Sequence, residues 1–327
     1  MKKNIESIGG FLQFELLPFD KAKNIDLQFN TARSSLAFLL LKNDIKKIQI
    51  PRYTCEVVLQ PLKIHNIEFS FYDLDNDLLP LFNTQLIDSE IPLLVNNYFG
   101  ILDAKIETLD KSYKTIIDNS QALYSTVIGT LGSFNSYRKF LGLPDGSKVN
   151  TSNTRKTEAY SNKFPRQSVY KQLEHLFGRF ELGPERVYET FKTNESKLDF
   201  KEIKQISKIS EFLFNEINHD QIIHKRLQNF MTLNKHLKNN NILEISEKGL
   251  RCPMVYPYLT KQGEKLRKFL IDNHIYIAKY WPNTEIILDE NSFEFNLHQN
   301  LVALPIDQRY SEIEMNQIID LINRFES

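Results

Sequence analysis

Between residues 29 and 149 short apolar runs, each closed by turn residues, alternate with stretches whose apolar positions recur every three or four residues. A mostly parallel α/β sheet reads this way, because its strands are buried on both faces and joined by crossover helices. Three runs are clearest. Lys47-Ile48-Gln49-Ile50 ends at Pro51, Ile91-Pro92-Leu93-Leu94-Val95 ends at Asn96-Asn97, and Thr115-Ile116-Ile117 ends at Asp118. Open α/β sheets bind ligands beyond the carboxyl ends of their strands, so the polar residues there are the first site candidates. Upstream, Asn30-Thr31-Ala32-Arg33-Ser34-Ser35 precedes the apolar run Leu36 to Leu41, which predicts a helix with Asn30 or Thr31 as N-cap and a helix end able to hold a phosphate.

Residues 150–167 are polar and rich in Ser, Thr and Asn, which predicts a linker or exposed loop. Helical spacing follows over Ser168 to Phe180, Lys201 to Ile217 and Gln221 to Leu237. Strands are predicted around Met254-Val255-Tyr256 and Ile275-Tyr276-Ile277, and a closing helix near Glu312 to Phe325. The expected architecture is a large α/β domain over residues 1–220 with a mostly parallel sheet, and a smaller C-terminal α+β domain over 221–327.

Composition narrows the function classes. The 41% apolar and 12% aromatic content of this 327-residue chain is that of a globular protein with a full core. Lys plus Arg and Asp plus Glu are 41 each, so no overall field draws nucleic acid or a membrane surface, and an anion site has to be local. Cys55 and Cys252 lack metal-ligand spacing, the seven histidines are scattered, and no run approaches the roughly 20 apolar residues of a membrane span. We expect a cytoplasmic protein without a metal.

Candidate chemistry is concentrated in Asp118-Asn119-Ser120-Gln121-Ala122 and in Gly132-Ser133-Phe134-Asn135-Ser136-Tyr137-Arg138-Lys139-Phe140. A carboxylate at a strand end and a lysine about twenty residues later supply the two groups that pyridoxal 5′-phosphate most needs: an amine for the Schiff base and an acid that keeps the pyridine nitrogen protonated. Arg138 beside Lys139 is expected to lower the lysine pKa. At these residues the chain resembles the DegT-type family of pyridoxal-phosphate-dependent sugar aminotransferases, which have the aspartate aminotransferase fold.

The resemblance implies that Lys139 is catalytic, that Asp118 and Gln121 contact the pyridine nitrogen and the ring hydroxyl, and that Ser133 or Ser136 contacts the phosphate. It also implies that Asn30, Thr31, Ala32 and Arg33 form the phosphate turn. Tyr53 or Cys55, in Pro51-Arg52-Tyr53-Thr54-Cys55, falls where the family stacks an aromatic on the ring, and Asn97, Tyr98 and Arg138 are candidates to face the substrate. Amino transfer from a donor such as glutamate to a nucleotide-linked keto-sugar or other keto acceptor, for surface polysaccharide synthesis, follows from the resemblance, as does a homodimer with active sites at its interface. Leu143-Pro144-Asp145-Gly146-Ser147, where the family has a glycine-rich segment, marks a divergent branch.

Read without that context, Lys139 is a surface lysine, Asp118 a turn residue and Tyr53 core packing. Arg309 reads as one half of a surface ion pair.

Overall fold

The computed structural model describes residues 27–82, 87–151, 163–282 and 287–326. The first half runs β1 (Leu27–Phe29), α1 (Ala32–Lys42), β2 (Lys47–Pro51), α2 (Leu59–Ile64), β3 (Glu68–Tyr72), β4 (Leu93–Asn96), α3 (Asp103–Ile106), β5 (Thr115–Asn119), β6 (Gly132–Asn135) and β7 (Ser147–Asn150). These strands form one seven-stranded sheet in the order β1-β7-β6-β5-β4-β2-β3. Pairing from β3 across to β6 is parallel, and β7 is antiparallel to both β6 and β1.

Alternation along the central strands assigns each apolar residue to one of two cores. Leu94, Ile116, Ile48 and Ile50 pack with Leu36, Phe38 and Leu39 of α1, whereas Leu93, Val95 and Ile117 pack with residues of the C-terminal half. Successive side chains of a strand leave opposite faces, so a run such as Leu93-Leu94-Val95 is apolar throughout because both faces are covered.

The second half contains α4 (Glu174–Leu182), α5 (Pro184–Ser196), α6 (Lys208–Glu216), α7 (His219–Leu237), β8 (Val255–Leu259), α8 (Gly263–Asp272), α9 (Phe293–Asn300), β9 (Leu301–Pro305) and α10 (Glu312–Glu326). Strands β8 and β9 pair antiparallel over their full length. The expected boundary at 220/221 falls in the first turn of α7, whose Ile222 packs with Phe140 and whose Phe230, Leu233 and Leu237 pack with Tyr256 and Val302.

Three expectations change. Ile275-Tyr276-Ile277 is not a strand but an irregular segment after α8 that lines the cleft beside Lys139. The helix expected from Lys201 begins only at Lys208, where the Ser207 side chain accepts from the Ser210 amide. The backbone before it is drawn off to the edge of β1, with Ile206 N donating to Gln28 O and Asn30 N to Lys204 O. Helix α5, which has Pro184 in its first turn after Gly183, is an element that the spacing pattern did not predict. Residues 152–162 of the expected linker lie outside the described residues.

Candidate active site

The parallel strands deliver their carboxyl ends to one edge. Asn96 is in register with Asp118, and Asn119 with Asn135. Helix α1 begins at the same edge: Ser35 Oγ lies 2.6 Å from Ser147 Oγ, which donates to Asn135 O at 2.6 Å. Thr31 is the N-cap, its side chain accepting from the Ser34 amide, and Asn30 supports the turn by accepting from Ser34 Oγ at 2.7 Å. The N–H groups of the first turn, those of Ala32 and Arg33 among them, have no partner within the helix, and the helix dipole adds positive potential. The end of α1 is therefore suited to an anion.

Asp118, half-buried at the end of β5, accepts from Ser120 N at 2.7 Å. Burial pushes its carboxyl above the ordinary value, opposed first by the ammonium of Lys139 and then by Ser120. Lys139 is exposed on the turn after β6. Gln121 is buried; its Oε1 accepts from Phe99 N at 2.8 Å, while its Nε2 has no partner. An unsatisfied buried donor costs free energy that an incoming acceptor would recover. The acid, the amine and the free amide donor thus lie along one sheet edge, beside a helix start.

Of the two candidate serines, Ser133 is the second residue of β6, fully buried within the sheet with no partner for its Oγ. Ser136 follows the strand, at the edge where α1 begins. Tyr53 is wholly buried, donates to Tyr280 O at 2.9 Å and contacts the rings of Tyr98 and Trp281. Cys55 is part-exposed. Tyr98 is buried, with its hydroxyl donating to Tyr53 O. Asn97 is equally committed, donating to Asp103 and Asn119 at 2.7 and 2.9 Å and accepting from Leu102 N. The structure therefore puts Tyr53, Asn97 and Tyr98 in the framework of the edge and leaves their polar atoms engaged. Arg138 pairs with Glu195, and Arg309 pairs with Asp307 through two nitrogens at 2.7 and 2.8 Å.

Lys139 opens onto a cleft of about 1050 Å³ whose walls include Arg179, Tyr188, Arg226, Tyr276 and Arg309. Of these, Arg179, Tyr188 and Arg226 carry no signal in the local sequence pattern. Arg226 holds the lysine turn in place: it donates to Met254 O and Gln308 Oε1 at 2.9 Å and lies over the Phe140 ring at 4.6 Å. Gln308 donates in turn to Phe140 O at 2.8 Å. Loop geometry also orients Gln121, because Phe99 (φ 59) and Gly100 (φ 72) turn the backbone so that Phe99 N meets the Gln121 side chain. Among the described residues no three His, Cys, Asp or Glu side chains are grouped to hold a metal.

The likeness to solved structures gives the chain an aspartate aminotransferase fold, with β7 the reversed strand between β6 and β1 of its seven-stranded sheet. Solved structures sharing it include a DegT DnrJ EryC1 StrS aminotransferase from Brucella abortus, at 13% identity over 91% of this chain and 85% of that one, with a TM-score of 0.62. PseC of Helicobacter pylori, an aminotransferase involved in the biosynthesis of pseudoaminic acid, matches at 14% identity over 91% and 85%, TM-score 0.63. The sugar aminotransferase CalS13 of Micromonospora echinospora matches at 12% over 92% and 87%, TM-score 0.61. No protein-family model matches the sequence, and neither does any curated protein.

Proposed function

We propose that this chain is a pyridoxal-phosphate-dependent aminotransferase that moves an amino group from an amino acid such as glutamate to a nucleotide-linked keto-sugar. The observation that carries the reading is the convergence of Asp118, Gln121 and Lys139 at the sheet edge where α1 begins. The residues fit the cofactor: Asp118 suits a protonated pyridine nitrogen, the free Nε2 of Gln121 a ring oxygen, and the start of α1 with Ser136 a phosphate. When bound, the cofactor supplies an electron sink for the carbanion at the donor α-carbon.

Lys139 would carry the cofactor, and once displaced by the donor amine it would take the proton from the donor α-carbon as general base. In the second half-reaction the same amine gives a proton back at the acceptor carbon. Arg226 and Gln308 keep the lysine turn still during both. The cleft beside Lys139 has room for a ligand larger than an amino acid, and its wall carries Arg179, a cation with no ion-pair partner among the described residues. That supports a bulky anionic acceptor. Among the structural neighbours, Spr1654 of Streptococcus pneumoniae is solved in PLP and PMP forms and DesI with its TDP-sugar product. We read the product as a building block for surface polysaccharide and the active unit as a cytoplasmic homodimer. Among the described residues no helix is long and apolar enough to cross a membrane.

The test is spectroscopic. Protein reconstituted with the cofactor should show the visible band of the lysine-bound form, and Lys139→Ala should lack it. Glutamate should bleach the band and a nucleotide keto-sugar should restore it. Protein that stays colourless after reconstitution overturns the reading.

A further inference from the structure

The two edges of the large sheet differ. Beyond β1 the backbone of residues 204–206 closes the edge, with Asn30 N donating to Lys204 O and Ile206 N to Gln28 O. Beyond β3 no strand follows among the described residues. Glu68 N donates inward to Lys46 O and Tyr72 O accepts from Arg52 N, so residues 68, 70 and 72 turn their backbone groups toward β2. The N–H and C=O groups of Phe69 and Phe71 therefore point outward, two residues apart.

Such an edge is a template for another strand, and native edges are blunted by proline, by a bulge or by charges along the strand. In Glu68-Phe69-Ser70-Phe71-Tyr72 the only charge is at the first residue, and there is no proline. Phe69 and Phe71 lie on one face with their rings 5.6 Å apart, packed against the core around α1 yet only part-buried.

The strand is also complementary to itself when reversed. A two-fold axis at Ser70 sets Phe69 opposite Phe71 of a second copy and Phe71 opposite its Phe69. Both are pairs whose backbone groups face each other, so each exchanges N–H···O=C bonds in both directions. The four rings meet on one face, where cross-strand aromatic pairs stabilise a sheet. Charge follows the same reversal. At the start of β3, Lys46 pairs with Asp44, and Lys47 and Lys63 outnumber Glu68. At its end Arg52 pairs with Asp73 and Lys105 with Asp77, which leaves Asp75 in excess. Antiparallel pairing puts each basic start beside an acidic end.

We propose that two copies of this chain pair antiparallel through β3 about a two-fold axis at Ser70, joining their sheets into one. Contacts of this kind are isologous and close after two copies. No residue of β3 or α2 forms a wall of the cleft beside Lys139, so the pairing leaves the cleft open and is independent of the aminotransferase reading. It adds to any contact made elsewhere on the chain, and its signature is therefore a ratio of particle masses.

Sedimentation equilibrium of the whole protein, with thermal melts as a check on folding, compares the wild type with Ser70→Lys. Two lysines facing each other across the axis repel, so Ser70→Lys should halve the particle mass and leave the melting temperature unchanged. Ser70→Cys probes the axis itself. Opposite residues in a non-hydrogen-bonded antiparallel pair have Cα atoms about 4.5 Å apart, within the range of a disulfide. Mild oxidation should lock Ser70→Cys into a covalent dimer that persists on dilution. The same register places the two copies of residue 68 roughly 14 Å apart. Glu68→Cys should therefore not cross-link, and it controls for Cys55 and Cys252.

A particle mass that Ser70→Lys leaves unchanged would overturn the proposal, and so would a Ser70→Cys protein that cross-links no better than Glu68→Cys. Should Ser70→Lys fail to fold, the two cysteine variants decide.

Discussion

The Lys139 ammonium acts on the Asp118 carboxylate from the turn after the neighbouring strand, lowering a pKa that burial raises. Burial is the larger effect, so in the folded chain the ionised form of Asp118 is disfavoured relative to the unfolded chain. Its contribution to stability is greatest when protonated and is lost as pH rises through the folded pKa. Asp118→Asn should accordingly raise the melting temperature of the cofactor-free protein at neutral pH, by roughly 1–2 °C for each kcal/mol relieved in a chain of this length, and the gain should shrink toward pH ~4, near the ordinary carboxylate pKa. The same variant should lose transamination, because an amide cannot hold the pyridine nitrogen protonated. Thermal melts across that pH range decide it: a lower melting temperature for Asp118→Asn at neutral pH would show that the carboxylate is a structural anchor.

Ser133 and Ser136 separate by position. Ser133→Ala removes a buried hydroxyl that has no partner, so it should leave stability unchanged or raise it slightly and leave cofactor affinity untouched. Ser136→Ala should weaken pyridoxal phosphate by about tenfold, the loss expected for a hydrogen bond to a charged group. Equilibrium titrations of the visible band compare the two, and a loss confined to Ser133→Ala would reverse the assignment.

Much of the sheet was legible because a strand buried on both faces announces itself in a short unbroken run such as Leu93-Leu94-Val95. The candidate acid and amine were legible for a related reason: Asp118 lies at the end of β5 and Lys139 on the turn beyond β6, and strand ends define the site edge. Register was not legible, and register is what puts Ser133 inside the sheet and Ser136 at its edge. Nor could local patterning show that Tyr53 reaches Tyr280 O, 227 residues away, or that Arg226 clamps Phe140, 86 residues away. Polar residues whose partners come from distant chain carry no local periodicity. Arg138 and Glu195 belong to that class, and so does Gln60 with Asp199.

Because Tyr53 is held between Tyr98 and Trp281, its phenol is a structural group. Tyr53→Phe removes only the bond to Tyr280 O and should cost about 1 kcal/mol of stability. Cofactor affinity and the position of the visible band should not move. Chemical denaturation and a band titration of the same sample would check both, and a shifted band with unchanged stability would return Tyr53 to the cofactor.

Arg226 should act on the reaction through Lys139 without touching a ligand. Arg226→Met keeps a long side chain over Phe140 but drops the bonds to Met254 O and Gln308, leaving buried acceptors unpaired at a cost of about 1–3 kcal/mol. With the turn loosened, proton transfer by Lys139 should slow more than binding weakens. Single-turnover bleaching by glutamate is expected to fall at saturation while the donor concentration for half-maximal rate changes little. If saturation behaviour is unchanged and only that concentration rises, Arg226 contacts the donor.

Substitution of Gly100 should reach the site from outside it. Its φ of 72 is a conformation that side-chain-bearing residues adopt at a cost of about 1–2 kcal/mol. An added Cβ would also stand 2.8 Å from Gln121 O and 3.2 Å from Cys252 O. Both are backbone atoms, so relief has to come from moving the Gln121 segment or the approach to β8. Gly100→Ala should therefore lower stability and, by shifting Gln121, weaken pyridoxal phosphate several-fold. Gly142→Ala is the control on the lysine turn, since nothing lies within 4 Å of its added carbon. It should alter neither property. Melting and band titration of the two variants together test the coupling: a Gly100→Ala protein that is destabilised yet binds the cofactor with wild-type affinity would mean that Gln121 is not a cofactor contact.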